Sequence, residues 1–98
     1  MKKEAYLINC SRGGVVEEEA LYEILKEGKI AGAGVDVFET EPPSKENKLF
    51  SLENVIFTPH LGANTKEAQI NAGTICAEQI LKVLKGKEPD FCVNSHLI

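Results

Sequence analysis

An α/β layer of about three parallel strands with flanking helices is the fold class that these 98 residues predict. Two observations carry that prediction. Short apolar runs without polar alternation, as expected of parallel strands covered on both faces, recur at residues 5–9, 30–38 and 55–58. Segments of helical period stand between and after them, giving the order strand, helix, strand, connector, strand, helix. Right-handed crossovers in such an order gather the C-terminal ends of all the strands on one edge of the sheet.

Each element has a local reason. The first strand, residues 5–9, is broken by Arg12, Gly13 and Gly14. A helix is expected over residues 16–26: Glu17, Glu18 and Glu19 favour the positive end of its dipole, and Ala20, Leu21, Ile24 and Leu25 form one apolar stripe. Lys26 suits the negative end, and Gly28 suits the left-handed position after the last turn. The second strand, residues 30–38, contains Gly32, Ala33 and Gly34, small enough to admit close approach of a helix or a ligand. Pro42 and Pro43 stop the chain after Glu41, because proline forces the preceding residue out of the helical region and donates no ladder hydrogen bond.

Residues 44–48 read as a polar loop and residues 49–52 as one helical turn. The third strand, residues 55–58, ends at Pro59. Asn64 or Thr65 caps a long helix over residues 66–85, with Glu67 three positions after Asn64 as in a capping box. Ala68, Ala72, Cys76, Ile80 and Leu84 follow the i, i+4 rule, joined by Ala77, Leu81 and Val83, and Lys82, Lys85 and Lys87 suit the far end near Gly86. Residues 88–98 contain Pro89 and no period, and receive no firm structure.

Composition excludes several classes. The formal charge is −4, with acids and bases interspersed and few aromatics, so no nucleic-acid partner is expected. The apolar stretches are interrupted within ten residues and Met1-Lys2-Lys3-Glu4 does not open a signal peptide, so no membrane partner is expected either. Cys10, Cys76 and Cys92 are odd in number and far apart, matching neither a zinc spacing nor a secreted disulfide scaffold. They read as reduced thiols of a cytoplasmic protein without a metal.

Three polar residues stand just past the ends of the apolar runs: Arg12, Glu41 and His60. In an open parallel sheet this is where groups are presented to a ligand. A carboxylate binder, a carboxylate and a proton-transferring imidazole on neighbouring loops are what reduction of a 2-keto acid needs. Each also has a plainer reading. His60 could be a satisfied polar group at a loop start, Glu41 a solvated acid with Glu39 competing for any role, and Arg12 an exposed turn residue. Asp36 is costly in a core strand, so either the strand end lies in solvent or the carboxylate has a partner. No Gly-x-Gly-x-x-Gly occurs, and Gly32-Ala33-Gly34 opens no helix, so the loop that would cradle a dinucleotide pyrophosphate is missing from these residues.

The strings Asn9-Cys10-Ser11-Arg12-Gly13-Gly14-Val15-Val16, Gly34-Val35-Asp36-Val37-Phe38-Glu39-Thr40-Glu41-Pro42 and Thr58-Pro59-His60-Leu61-Gly62-Ala63-Asn64-Thr65 resemble the D-isomer-specific 2-hydroxyacid dehydrogenases. The resemblance implies the C-terminal half of a Rossmann-type doubly wound sheet. Residues 1–98 would be the C-terminal part of a dinucleotide-binding and catalytic domain, without its glycine-rich half and without the substrate domain. It implies hydride transfer between NAD(H), with NADP left open, and a small D-2-hydroxy acid and 2-keto acid pair. Arg12 would hold the substrate carboxylate, Glu41, placed directly before the proline, would orient His60, and His60 would exchange the proton. Cofactor contacts are implied at Cys10, Ser11, Arg12, Asp36, His60, Gly62 and Ala63, with Asp36 on the nicotinamide carboxamide. A glutamate at position 41, where the similar formate dehydrogenases carry an amide, favours hydroxy-acid chemistry. Glu17 stands where the family commonly has an aspartate. A homodimer or larger homo-oligomer is expected, since a cut sheet leaves an unpaired edge. The alternative, a non-catalytic binding module like the C-terminal-binding-protein corepressors or a vestigial fragment, uses the same scaffold and motifs.

Overall fold

The computed structural model describes residues 1–97, which fall into two compact units dividing after Gly62. In the first, β1 (Tyr6–Asn9), α1 (Glu18–Lys26), β2 (Gly32–Val35), a 3-10 turn (Lys48–Ser51) and β3 (Val55–Phe57) follow the expected order. The strands form one parallel sheet in the order β1-β2-β3, with Asn9 opposite Val35 and Val35 opposite Phe57. Their C-terminal ends therefore share one edge, and the loops bearing Arg12, Glu41 and His60 leave from it.

The core lies on one face of this sheet. Ala33, Val35 and Val55 meet Leu21 and Leu25 of α1, with Ile30, Phe38 and Leu49 completing the cluster. Leu49 is 1% exposed, and burying a side chain of this kind contributes about 1.5–3 kcal/mol. Ala20, at the margin of the expected apolar stripe, is exposed instead. The helix starts at Glu18, two residues later than its pattern suggests, and Glu17 makes no side-chain cap bond. Its end agrees with the sequence: Gly28 takes φ +69°, Gly28 N donates to Leu25 O at 3.2 Å and Lys29 N to Ile24 O at 2.9 Å, the paired bonds of a Schellman motif.

On the other face of the sheet the apolar residues are not packed within this unit. Tyr6, Ile8 and Ile56 are 71%, 67% and 74% exposed, on either side of Gly32 and Gly34. The core cluster of this unit is built on the opposite face, toward α1. The second strand is shorter than its apolar run. Its ladder stops at Val35, and Ile30, Val37 and Phe38 are buried outside it.

In the second unit, α2 (Lys66–Leu84) is capped by Thr65, whose Oγ1 accepts from Ala68 N at 3.0 Å. Asn64 accepts from the Gln69 side chain instead, so the capping box with Glu67 does not form. Gly86, at φ +79°, closes the helix with bonds from Gly86 N to Val83 O and from Lys87 N to Lys82 O, both 2.9 Å. None of its residues is buried. Asp90 accepts from Lys82 Nζ at 2.6 Å and from Gln79 Nε2 at 2.9 Å, and these bonds, the lysine's first, hold its carboxyl below the usual range. A 3-10 turn (Ser95–Leu97) forms where no structure was expected, and residue 98 lies outside the described residues. Among the described residues no helix is long and apolar enough to cross a membrane.

Candidate active site

The loop after β1 is organised by Asn9, a buried residue at the strand end. Its Oδ1 accepts from Ser11 Oγ at 2.7 Å and Ser11 N at 3.2 Å, and its Nδ2 donates to Arg12 O at 3.4 Å. Such local side-chain bonds make a turn that stands in for regular structure. Sequence reasoning passed over this role, although an asparagine two residues before a serine at a strand end is its signal. Cys10, Ser11 and Arg12 are exposed on the turn, and Arg12 Nη1 donates to Ser11 O at 2.7 Å. Gly13 is indispensable to it, since a Cβ there would lie 1.9 Å from Phe38 O. The turn bearing Arg12 thus rests directly on the backbone of the loop bearing Glu41.

Asp36 sits at the end of β2 and is 4% exposed, so its strand end does not lie in solvent. Its Oδ1 accepts from the Thr58 hydroxyl at 2.5 Å and from Leu61 N at 2.7 Å, and Oδ2 accepts from Gly62 N at 2.8 Å. The Thr58 bond first, then the two amides, hold this carboxyl below the usual carboxylate range. Its partners are thus the loop that carries His60. That loop has His60 at φ +54°, a left-handed conformation costing a non-glycine residue on the order of 1–2 kcal/mol. Gly62 comes within close range of the first loop as well, since a Cβ there would lie 3.4 Å from Cys10 O. Ala63, which opens the second unit, has φ +63°.

Two glutamates compete in sequence, and their bonds separate them. Glu39 turns to α1: its Oε1 accepts from Glu18 N at 3.4 Å, while Glu39 N donates to Glu18 Oε2 at 2.6 Å. Glu41 turns to His60, with Oε2 2.6 Å from His60 Nδ1 and Oε1 accepting from Phe38 N at 3.1 Å. The His60 bond first, then the Phe38 amide, hold the Glu41 carboxyl below the usual range, and the charge on Arg12 acts in the same direction. The pair borders a cavity of about 600 Å³, walled chiefly by Phe38, Phe50, Phe57, Pro42 and Pro43. The three phenylalanine rings pack together with centroids 4.8–5.9 Å apart. Among the described residues no group of three or more His, Cys, Asp or Glu could hold a metal ion.

Glu41 and His60 thus form a carboxylate–imidazole pair on the loops after β2 and β3, at the C-terminal edge of the sheet. Cys10 O, Asp36 and Gly62 pack closely against one another, with both Asp36 oxygens spent on the loop of His60. No residue pattern here fits the pyrophosphate.

Residues 1–62 match the family model of the D-isomer specific 2-hydroxyacid dehydrogenase, NAD binding domain, and the chain belongs to that family of NAD-dependent oxidoreductases. D-3-phosphoglycerate dehydrogenase of Methanocaldococcus jannaschii is 62% identical to it over 94 residues, 96% of this chain and 18% of the relative. Among solved structures, the NAD-complexed D-isomer specific 2-hydroxyacid dehydrogenase of Lactobacillus delbrueckii ssp. bulgaricus superposes with TM-score 0.69 at 37% identity, over 96% of this chain and 33% of that one. An acyclic imino acid reductase in complex with NADPH and D-Arg gives TM-score 0.76 at 37% identity, over 92% and 28%. The chain thus spans between 18% and 33% of the length of these proteins.

Proposed function

We propose that residues 1–98 are the C-terminal part of the dinucleotide-binding domain of a D-2-hydroxyacid dehydrogenase, and that they carry its catalytic Arg12, Glu41 and His60. The observation that carries this reading is the 2.6 Å contact between Glu41 Oε2 and His60 Nδ1. With Nδ1 engaged, Nε2 is the ring nitrogen left for the substrate oxygen, and the carboxylate stabilises the imidazolium and fixes the ring's orientation. NAD(H), when bound, supplies or accepts the hydride. In the reducing direction His60 Nε2 gives its proton to the keto oxygen, and in the oxidising direction it takes the hydroxyl proton. Arg12 leaves its bond to Ser11 O and grips the substrate carboxylate through two parallel hydrogen bonds. Cys10, Ser11, Arg12, His60 and Gly62 hold the nicotinamide end, and Asp36, whose oxygens are spent on Thr58, Leu61 and Gly62, holds the loop of His60 instead. The three free cysteines suit the reducing cytoplasm, where we place the enzyme.

The substrate pair we assign is 3-phosphoglycerate and 3-phosphohydroxypyruvate, supported by the 62% identity to a D-3-phosphoglycerate dehydrogenase. The test is NADH oxidation by the full-length enzyme with phosphohydroxypyruvate and with hydroxypyruvate, in the native protein and in His60→Ala. We expect higher kcat/KM with the phosphorylated acid, and a loss of turnover of about 10²–10⁴ in the variant. Preference for hydroxypyruvate would overturn the substrate assignment. Near-normal turnover in His60→Ala would remove His60 from the mechanism, and absence of turnover in the native enzyme would favour a binding module.

A further inference from the structure

We infer that Glu18, in the first turn of α1, is a positioning residue for the Glu41–His60 pair, an inference that rests on the proton-transfer reading of that pair. Glu41 uses one carboxylate oxygen on Phe38 N and the other on His60, so the direction of the second is set by where the Phe38 backbone stands. The next peptide group, made of Phe38 C=O and Glu39 N–H, is a rigid plane, and it is clamped from both sides. Gly13 packs against its oxygen so closely that a Cβ would overlap it, and Glu18 Oε2 accepts its N–H at 2.6 Å.

Glu18 is itself anchored. Its Oε1 accepts from Asn47 Nδ2 at 2.9 Å, and Asn47 Oδ1 accepts from Leu49 N at 3.0 Å, with Leu49 at the centre of the core. The carboxylate therefore ties the Glu41 loop to the packed interior, through α1 on one side and the 3-10 turn on the other. The Glu39 carboxylate does something separate. It accepts from Glu18 N, at the helix start where Glu17 supplies no cap, and its loss leaves the clamped N–H in place. Withdrawal of the Glu18 carboxylate frees the peptide plane and lets Glu41 Oε2 drift from the imidazole. Besides Glu41, the charges acting on the pair are Arg12, which acts on Glu41, and Asp36, which His60 influences.

Three substitutions in the full-length enzyme separate positioning from charge and from simple stability. Glu18→Asp keeps the charge but withdraws the carboxylate by one methylene, Glu18→Gln keeps the length and one acceptor oxygen, and Glu39→Ala removes only the cap on α1. The measurements are the pH profile of hydroxy-acid oxidation, KM for NAD and Tm, with Glu41→Gln as reference. Glu18→Asp should lower kcat/KM about tenfold and move the acidic limb part of the way that Glu41→Gln moves it, with KM for NAD unchanged, since a sub-ångström misplacement of a catalytic group is felt at this scale. Glu18→Gln, which can still accept from Glu39 N but gives up the bond from Asn47 Nδ2, should move the limb less than Glu18→Asp does, and Glu39→Ala should lower Tm without moving it. A native profile in Glu18→Asp, or a larger shift in Glu18→Gln than in Glu18→Asp, overturns the inference, the second outcome by showing a through-space charge effect. If Glu41→Gln itself leaves the limb in place, the proton-transfer reading fails and this inference with it.

Discussion

Leu61 N, one residue beyond the imidazole, donates to Asp36 Oδ1 at 2.7 Å, so the loop of His60 is tied to the end of β2 across 25 residues of chain. Together with Thr58 and Gly62 this bond holds His60 in its left-handed conformation, facing Glu41.

Asp36→Asn should release that hold. Its amide nitrogen must face either an N–H or a hydroxyl donor, so at least one of the three bonds is lost, and turnover in the full-length enzyme should fall by up to about 10²-fold. Because the Asp36 carboxyl lies below its usual value in the fold, the stability it contributes is present above the unfolded value, near ~4, and is lost as pH falls through the folded value. The curve of Tm against pH should accordingly be flatter below about pH 4 in the variant than in the native protein. Parallel curves from circular-dichroism melts would show that Asp36 is not held this way.

Glu41→Gln preserves the size of the side chain and removes its charge. The imidazolium loses its stabilising partner, so the acidic limb of hydroxy-acid oxidation should move to lower pH, where the neutral ring needed to accept the proton now persists. A limb that stays in place would count against the pair as a unit.

Arg12→Lys keeps the charge and loses the planar fork. We expect kcat/KM for the keto acid to fall by about 2–3 kcal/mol of transition-state stabilisation, roughly 30–150-fold. Carboxylate-free carbonyl substrates should be nearly indifferent, and equal losses on both kinds would assign Arg12 a structural role.

The 98-residue chain taken alone should bind NAD no tighter than millimolar and should self-associate. Only contacts at the nicotinamide end are available, without a glycine-rich phosphate cradle. Its sheet has unpaired edges and a face bearing exposed Tyr6, Ile8 and Ile56, which a second copy can cover. Titration calorimetry with NAD and light scattering test both statements, and micromolar binding by a monodisperse monomer would refute them.

Much of this is legible in the sequence. The order and type of the elements through α2, the cap at Gly28, and the edge on which Arg12, Glu41 and His60 emerge follow from local causes: apolar period, dipole, proline and glycine. Those causes act within a few residues, which is why the sequence alone can express them.

What the tertiary structure alone decided depends on residues far apart in the chain. That Glu39 serves α1 is a matter of which donor stands opposite, 21 residues away, and the bond between Glu41 and His60, which the family resemblance implied, takes its 2.6 Å geometry from groups 19 residues apart. That Asp36 is buried and spent on Thr58, Leu61 and Gly62 required the loops after β2 and β3 to be brought together. That α1 and the 3-10 turn build their core on one particular face of the sheet could not be read from runs that are apolar on both sides. A hydrogen bond between distant groups depends on ångström placement, and that placement comes from the packing of the whole unit rather than from the preferences of any one segment.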